Sequence, residues 1–343
     1  MNSWGGVMSV IEFKKDLIDA ILDLVWKQWT QLGVAGQIGT DSTLVLDPEA
    51  LLIFSARFAR FDQRLYDLVI DWLQCNGESI NLPRLKAVLK RFPEADKRSL
   101  GFIAASTKLK KWNVLAKSLL PGEEVAVETM FLAPDGSTND FTPHPDETAL
   151  RYGFRRSRYV PGNKVMPFPQ NGAAALLLRL RGAFGMSARA EAVLTMLNRD
   201  FCRIQDVADA SGFSWKASSD VLNELCSSGI ATTLDKNRRG RTYFLKDAKT
   251  VRSLFWVELV EFPDWPTIFD MLDVLWECLG NPHMNEVSEK TAAGEIRRVF
   301  AQKIGDRMQG CGIASLSRLA AGSLTALPDL LRELDRPSSR SSR

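Results

Sequence analysis

Hydrophobic residues recur at helical spacing over most of the chain. Over residues 10–32 they fall every three or four positions, which predicts one amphipathic helix that ends near Gly33. A second helix is predicted to begin at Pro48, because Asp47 can cap its first turn and proline suits the first helical position. Residues 1–120 are therefore predicted to be an N-terminal helical domain. Its further helices are predicted over residues 63–75, 82–92 and 96–120.

Residues 121–172 break this pattern. They are rich in Pro, Gly, Asp and Asn, with short apolar pieces that leave room for a small hairpin. Residues 121–150 hold seven acidic residues and no Lys or Arg, whereas residues 151–164 hold five basic residues and no acid. We interpret the segment as an irregular linker with an acidic half followed by a basic half.

Residues 173–247 return to regular spacing and then change to a β-favouring pattern. A leading helix is followed by three more helices, and two short β-favouring runs come after them. Gly212 suits a tight turn between the second and third of the three helices, and Ser214 can cap the third. In that third helix Val221, Leu222 and Leu225 are predicted to face the core, whereas its N-terminal half is predicted to be exposed.

This order of elements resembles the winged helix-turn-helix of bacterial transcription regulators. The order of a helical N-terminal region and a basic linker, in turn, has a loose likeness to antitoxin-type regulators. The winged-helix resemblance covers about a sixth of the chain and does not identify a subfamily. It implies that the third helix enters the major groove with its N-terminal side chains at the base edges, while the wing contacts the backbone or the minor groove. The landmarks that carry the resemblance lie at residues 204–208, 212–214, 221–225 and 229–230.

The candidate DNA-contacting side chains lie in two places. Those on the third helix are Ser214, Trp215, Lys216, Ser218, Ser219 and Asn223. Those at the tip of the wing are Lys236, Asn237, Arg238, Arg239 and Arg241. Four basic residues within six positions of the wing would supply a salt-sensitive attraction to phosphate. The alternative is a module that serves only for protein contacts or dimerisation.

Two other basic stretches are candidates for a second DNA contact. Residues 84–117 hold ten basic and two acidic residues, where either a second helix-turn-helix or a solvated basic face could form. Residues 151–164 interleave basic and aromatic side chains. This pattern is typical of an arm that follows a phosphate backbone. The alternative is that these basic residues pair with the acidic half of the linker. The residues singled out are Lys108, Lys110, Lys111, Arg155, Arg156 and Arg158.

The residues after the module again predict helices. Residues 248–336 are expected to pack on the winged helix or to make a homodimer, and residues 337–343 form a polar tail that we expect to be disordered. Trp256, Trp265 and Trp276 stand among apolar neighbours, which predicts core packing or, as the alternative, an interface with a partner subunit. The predicted fold class is mainly α, with one winged helix.

Composition argues against most enzyme classes. The net charge of +3 does not by itself indicate nucleic-acid binding. Five scattered cysteines without CxxC spacing and two histidines supply too few ligands for a zinc site or a His-dependent catalytic centre. The chain shows neither a glycine-rich phosphate loop nor a nucleophile motif. We therefore expect a protein that is not an enzyme and needs no cofactor or metal.

The sequence contains neither a long apolar run nor a signal-peptide pattern, so we expect a cytoplasmic protein without a membrane segment. The function that fits best is a sequence-specific transcriptional regulator that binds double-stranded DNA. The alternative is an antitoxin-like or phage-defence interaction protein that neutralises or recruits a partner protein encoded nearby. An enzyme acting on nucleic acid is disfavoured, because the ligand and nucleophile sets are missing.

Overall fold

The computed structural model describes residues 9–34, 42–122, 125–133, 137, 142–162, 164–234 and 241–334. Within these ranges the chain is mainly helical, which confirms the predicted fold class at that level. The predicted wing residues Lys236, Asn237, Arg238 and Arg239, and the predicted tail 337–343, lie outside the described residues. No helix in the described ranges has both the length and the apolar content to cross a membrane.

The N-terminal helices begin where short polar side chains can cap them. Asp47 accepts a hydrogen bond from the backbone N–H of Ala50 at 3.0 Å, and Pro48 follows at the first helical position, as predicted. Asn81 caps the fourth helix by accepting from the backbone N–H of Arg84. These six helices are α1 (Val10–Gln31), α2 (Pro48–Phe58), α3 (Gln63–Asn76), α4 (Leu82–Leu89), α5 (Lys97–Ser106) and α6 (Asn113–Ser118).

The linker contains two short strands, β1 (Glu128–Thr129) and β2 (Phe154–Arg155), with α7 (Glu147–Arg151) between them. The strands pair in parallel, so the small hairpin allowed by the sequence is not formed by them. Parallel pairing follows from the helix in between, because a crossover brings the chain back in the same direction. The linker is also attached to the N-terminal helices, since Arg60 Nε donates to the carbonyl oxygen of Met130 at 2.9 Å.

The middle of the chain has its own hydrophobic core. Leu194, Leu222 and Tyr243 are among its fully buried members, and Phe255 and Val260 join it from beyond residue 247. This module therefore extends further along the chain than the predicted boundary. Its elements are α8 (Leu176–Phe184), α9 (Ala188–Asn198), α10 (Ile204–Ser211), α11 (Trp215–Ser227), β3 (Ala231–Thr233), β4 (Tyr243–Leu245) and α12 (Ala248–Leu254).

The C-terminal helices share a single core with the N-terminal ones. Phe269 stacks on Phe54 with ring centroids 4.4 Å apart, and Trp276 meets Phe58 edge-on. The expectation that these helices pack on the winged-helix module is therefore wrong for α13 onward, because their apolar sides are buried against α1 and α2. The alternative of a dimer stays a prediction. The helices are α13 (Trp265–Gly280), α14 (His283–Glu286), α15 (Glu289–Val299), α16 (Gly305–Gln309), α17 (Ala314–Ser317) and α18 (Leu327–Glu333).

The three tryptophans of the C-terminal region have different environments. Trp265 and Trp276 are buried in the shared core, as predicted. Trp256, in contrast, is 71% exposed and has a positive φ of 49°, so the core prediction for it is wrong. Apolar periodicity could not separate these cases, because Trp256 lies in the turn after α12 where helical spacing no longer decides which side chains face inward.

Candidate nucleic-acid interface

A three-residue turn joins α10 to α11. Gly212 adopts φ +68°, a left-handed conformation that glycine reaches without the strain a Cβ atom would impose. Two residues later the Ser214 hydroxyl accepts a hydrogen bond from the backbone N–H of Ala217 at 3.2 Å and so begins α11. The predicted glycine turn and serine cap are both confirmed.

α11 has a buried side and an exposed side. Val221, Leu222 and Leu225 are buried, as predicted, and Trp215 is 54% exposed. Ser218 was predicted to be exposed, and this is wrong, because it is fully buried. The reason is its position: it lies three, four and seven residues before the three buried aliphatic residues, so all four share one face of the helix. Ser218 is therefore not available to contact DNA.

The Ser218 hydroxyl oxygen has no hydrogen-bond partner among the described residues. We expect Ser218→Ala to raise the free energy of unfolding by about 1 kcal/mol, because it removes an unsatisfied buried polar group and improves helix propensity. Urea denaturation measures this gain, and a duplex-binding titration should show unchanged affinity. Weaker binding at unchanged stability would mean that the side chain reaches the surface after all.

The exposed side of α11 borders a shallow cavity of about 240 Å3. Five of the residues predicted to contact DNA line this cavity: Trp215, Lys216, Ser219, Asn223 and Arg241. Arg241 joins the others there although it follows them by eighteen or more positions in the chain. The Arg241 guanidinium donates to the Asn223 side-chain oxygen at 3.4 Å, so the base of the ribbon touches the helix directly. Asp220 lines the same cavity and adds one negative charge.

β3 and β4 form an antiparallel ribbon in which Thr232 is paired with Phe244. A third segment joins the ribbon, because Cys202 and Tyr243 exchange two backbone hydrogen bonds of 2.8 Å each. Cys202 comes just before α10, so this pairing ties the ribbon to the start of the helix pair. The chain between the two strands carries the predicted wing tip.

Ion pairs neutralise several acidic residues around this surface. Glu224 on α11 is paired with Arg189 at 2.5 Å, and Asp206 on α10 is paired with Arg199 at 3.0 Å. Lys216, in contrast, makes no ion pair with any residue that the structure describes. The available charge at the start of α11 is therefore positive, with Asp220 as the opposing group.

The basic arm predicted at residues 151–164 is only partly exposed. Arg155 and Arg158 are exposed. Arg156 is buried: its guanidinium pairs with Asp67 at 2.7 Å and lies over the ring of Phe131. The prediction that Arg156 contacts DNA is therefore wrong, because burial and the carboxylate of Asp67 give this side chain a structural role.

The basic residues between 84 and 117 do not share one face. Arg84 is buried, and Arg98 pairs with Glu128 at 2.6 Å. Lys111 donates to the carbonyl oxygens of Glu78 and Ile80, and burial lowers the pKa of its ammonium group. The structure therefore divides these basic residues among buried, paired and exposed positions, and the second helix-turn-helix stays a prediction.

Of the other basic residues singled out there, Lys108 and Lys110 are exposed. Lys108 lines a cavity of about 520 Å3 together with Arg158, His144 and Asp146. The structure thus brings two candidates for a second DNA contact, Lys108 and Arg158, to one place, and that place also holds acidic side chains.

A cluster of five buried charged residues joins the N-terminal helices to the module. Arg84 pairs with Asp47 at 2.5 Å and with Glu49 at 2.6 Å. Arg181 pairs with Glu49 at 2.6 Å and with Glu191 at 2.8 Å. None of these residues is more than 2% exposed. This cluster could not be predicted from the sequence, because its members are far apart in the chain and charged residues are ordinarily at the surface.

The ion pairs of the cluster shift the pKa values of Asp47 and Arg181 in favour of their charged forms. Burial alone would raise the pKa of Asp47, but the Arg84 guanidinium outweighs that effect and lowers the pKa of this carboxyl group below its ordinary value. Burial would likewise lower the pKa of Arg181, yet Glu49 and Glu191 hold it above its usual range. The cluster sets three carboxyl groups against two guanidinium groups, which is a formal charge of minus one.

No protein-family model, curated protein or solved structure matches this chain. Its function must therefore be argued from its own residues and their geometry. Among the described residues, no group of three or more His, Cys, Asp or Glu side chains is placed to hold a metal ion.

Proposed function

We propose that residues 188–245 are a winged helix-turn-helix that binds duplex DNA, and that the protein is a sequence-specific transcriptional regulator. The observation that supports this most is the grouping of Trp215, Lys216, Ser219, Asn223 and Arg241 around one surface at the start of α11. These side chains belong to a helix pair with a three-residue turn and to the ribbon that follows it. In helix-turn-helix proteins bound to DNA, the second helix of such a pair is the recognition helix and lies in the major groove.

In the proposed complex, each side chain contacts the part of the DNA that suits its chemistry. Lys216 and the N-terminal backbone N–H groups of α11 hold a phosphate, because both present positive charge at the same end of the helix. Ser219 and Asn223 contact base edges, where amide and hydroxyl groups donate and accept hydrogen bonds. Arg241 and the basic residues of the wing contact the backbone and supply the salt-sensitive part of the affinity.

A salt titration tests this function. We expect the protein to bind duplex fragments from its own upstream region, with an affinity that falls steeply as salt rises above about 50 mM. Replacing Arg238, Arg239 and Arg241 with alanine should weaken binding to all sequences alike, and should flatten the slope of log K against log salt by about 0.9 per lost phosphate contact. Fluorescence anisotropy with labelled duplexes measures both quantities.

The matched control replaces Lys290, Lys303 and Arg318 with alanine, which removes the same charge from exposed positions in the C-terminal region. Its slope should stay that of the parent protein. If the parent protein binds no upstream duplex at low salt, the proposed function is wrong. If the wing variant keeps the parental slope, the wing makes no phosphate contact.

A second candidate is the interaction protein, and one observation favours it. Leu254, Trp256 and Leu259 are each more than 60% exposed and lie within six residues of one another beside the module. Exposed apolar groups so close together are typical of a surface that a partner protein covers. Should the duplex titration fail, this patch is the first surface to test against the product of a neighbouring gene.

A further inference from the structure

α4 packs against the turn that leads into α11. A Cβ atom added to Gly212 would lie 2.9 Å from the Cβ of Ala87, which is closer than two carbon atoms can approach. Arg84, one turn earlier on α4, donates from Nε to the carbonyl oxygen of Ala210 at 3.0 Å. α4 therefore contacts the end of α10 and the turn that leads into the proposed recognition helix.

The buried cluster holds this arrangement in place. Arg84 comes from α4, Asp47 and Glu49 come from the start of α2, and Arg181 and Glu191 come from α8 and α9 of the module. Each guanidinium bridges two carboxylates at 2.5–2.9 Å. Because these ion pairs share Glu49, they hold α4 together with α8 and α9, which belong to the same module as α11.

Two lysines lie on the outer side of α4, Lys86 within the helix and Lys90 at its C-cap. Lys86 and Lys90 are exposed and one helical turn apart, on the side away from the buried Leu85 and Val88. Within the part of the chain that the structure describes, neither lysine has an ion-pair partner. Arg91, the next residue, differs, because Asp264 and Thr267 bind its guanidinium.

From this placement we infer that α4 is a second DNA-contacting element, in which Lys86 and Lys90 bind the phosphate backbone of the same duplex, next to the stretch that α11 reads. This inference rests on the proposed function. Lysine suits the task because an ammonium group is a point charge on a flexible stem and needs no fixed geometry to meet a phosphate. The contact adds affinity without sequence preference, and it extends the bound region on one side only.

A double variant, Lys86→Ala with Lys90→Ala, tests the inference. Two lost phosphate contacts should flatten the slope of log K against log salt by about 1.8 and lower affinity roughly 30-fold near 0.15 M salt, if each contact contributes only its counter-ion term. The loss should be the same for specific and unrelated duplexes. Hydroxyl-radical footprinting should show protection lost at one edge of the site and kept elsewhere.

The matched control is Lys290→Ala with Lys303→Ala, which removes two exposed lysines from the C-terminal helices and should leave slope and footprint unchanged. If the α4 variant binds like the parent protein and the control, the inference is overturned while the proposed function stands. If the parent protein itself binds no duplex, both are overturned. Circular dichroism should give the same helix content for all three proteins, since alanine is at least as good a helix former as lysine.

Discussion

Replacing Arg181 with methionine is expected to lower the free energy of unfolding by about 3–5 kcal/mol, the usual loss when one partner of a buried ion pair is removed. Methionine keeps much of the side-chain volume, so the effect reports charge rather than a cavity. Glu191 is fully buried, and within the described residues only Arg181 donates hydrogen bonds to its carboxylate. The variant therefore leaves a buried carboxyl group without a partner and changes the formal charge of the cluster from minus one to minus two. Urea denaturation measures the loss.

A double variant provides the control. Arg181→Met combined with Glu191→Met leaves Arg84 bridging Asp47 and Glu49, with the original net charge of minus one. It should recover most of the lost stability, because the uncompensated carboxylate is gone. A double variant as unstable as the single one would show that the loss comes from packing at Arg181 and not from the stranded charge of Glu191.

Local signals in the sequence predicted the helices well. The Asp47–Pro48 pair marked the start of α2, and Ser214 marked the start of α11, since a cap and the first turn it serves are neighbours in the chain. Gly212 was identifiable for the same reason. Each of these signals acts over a few residues, so one sequence is enough to recognise it.

The partner of each helix could not be predicted in the same way. Apolar spacing shows that a helix buries one face, but not which other helix covers it, and so the stacking of Phe54 on Phe269 was missed. The burial of Arg156 and Arg181 was missed because a single charged residue carries no sign of the carboxylate that will meet it. For Ser218 two sequence signals disagreed. Its spacing from Leu222 indicated the buried face of α11, whereas its polarity indicated the surface.

We expect substitutions on the buried face of α11 to lower stability, and substitutions on its exposed face to change the preferred DNA sequence. Leu222 is fully buried, and Leu222→Ala should cost about 2–5 kcal/mol of unfolding free energy because it leaves a cavity in the core of the module. Ser219→Ala and Asn223→Ala should each change stability by less than about 0.5 kcal/mol, since both side chains lie toward the surface.

The two surface variants should instead change which duplexes are selected from a random pool, because a good side chain–base contact is worth about 1–3 kcal/mol of discrimination. Ser227→Ala is the matched control: it makes the same kind of change at an exposed position near the other end of α11, away from the cavity beside Trp215. It should keep the parental preference. If Ser219→Ala and Asn223→Ala select the same sequences as this control, α11 does not read the bases, and the affinity for DNA must come from phosphate contacts alone.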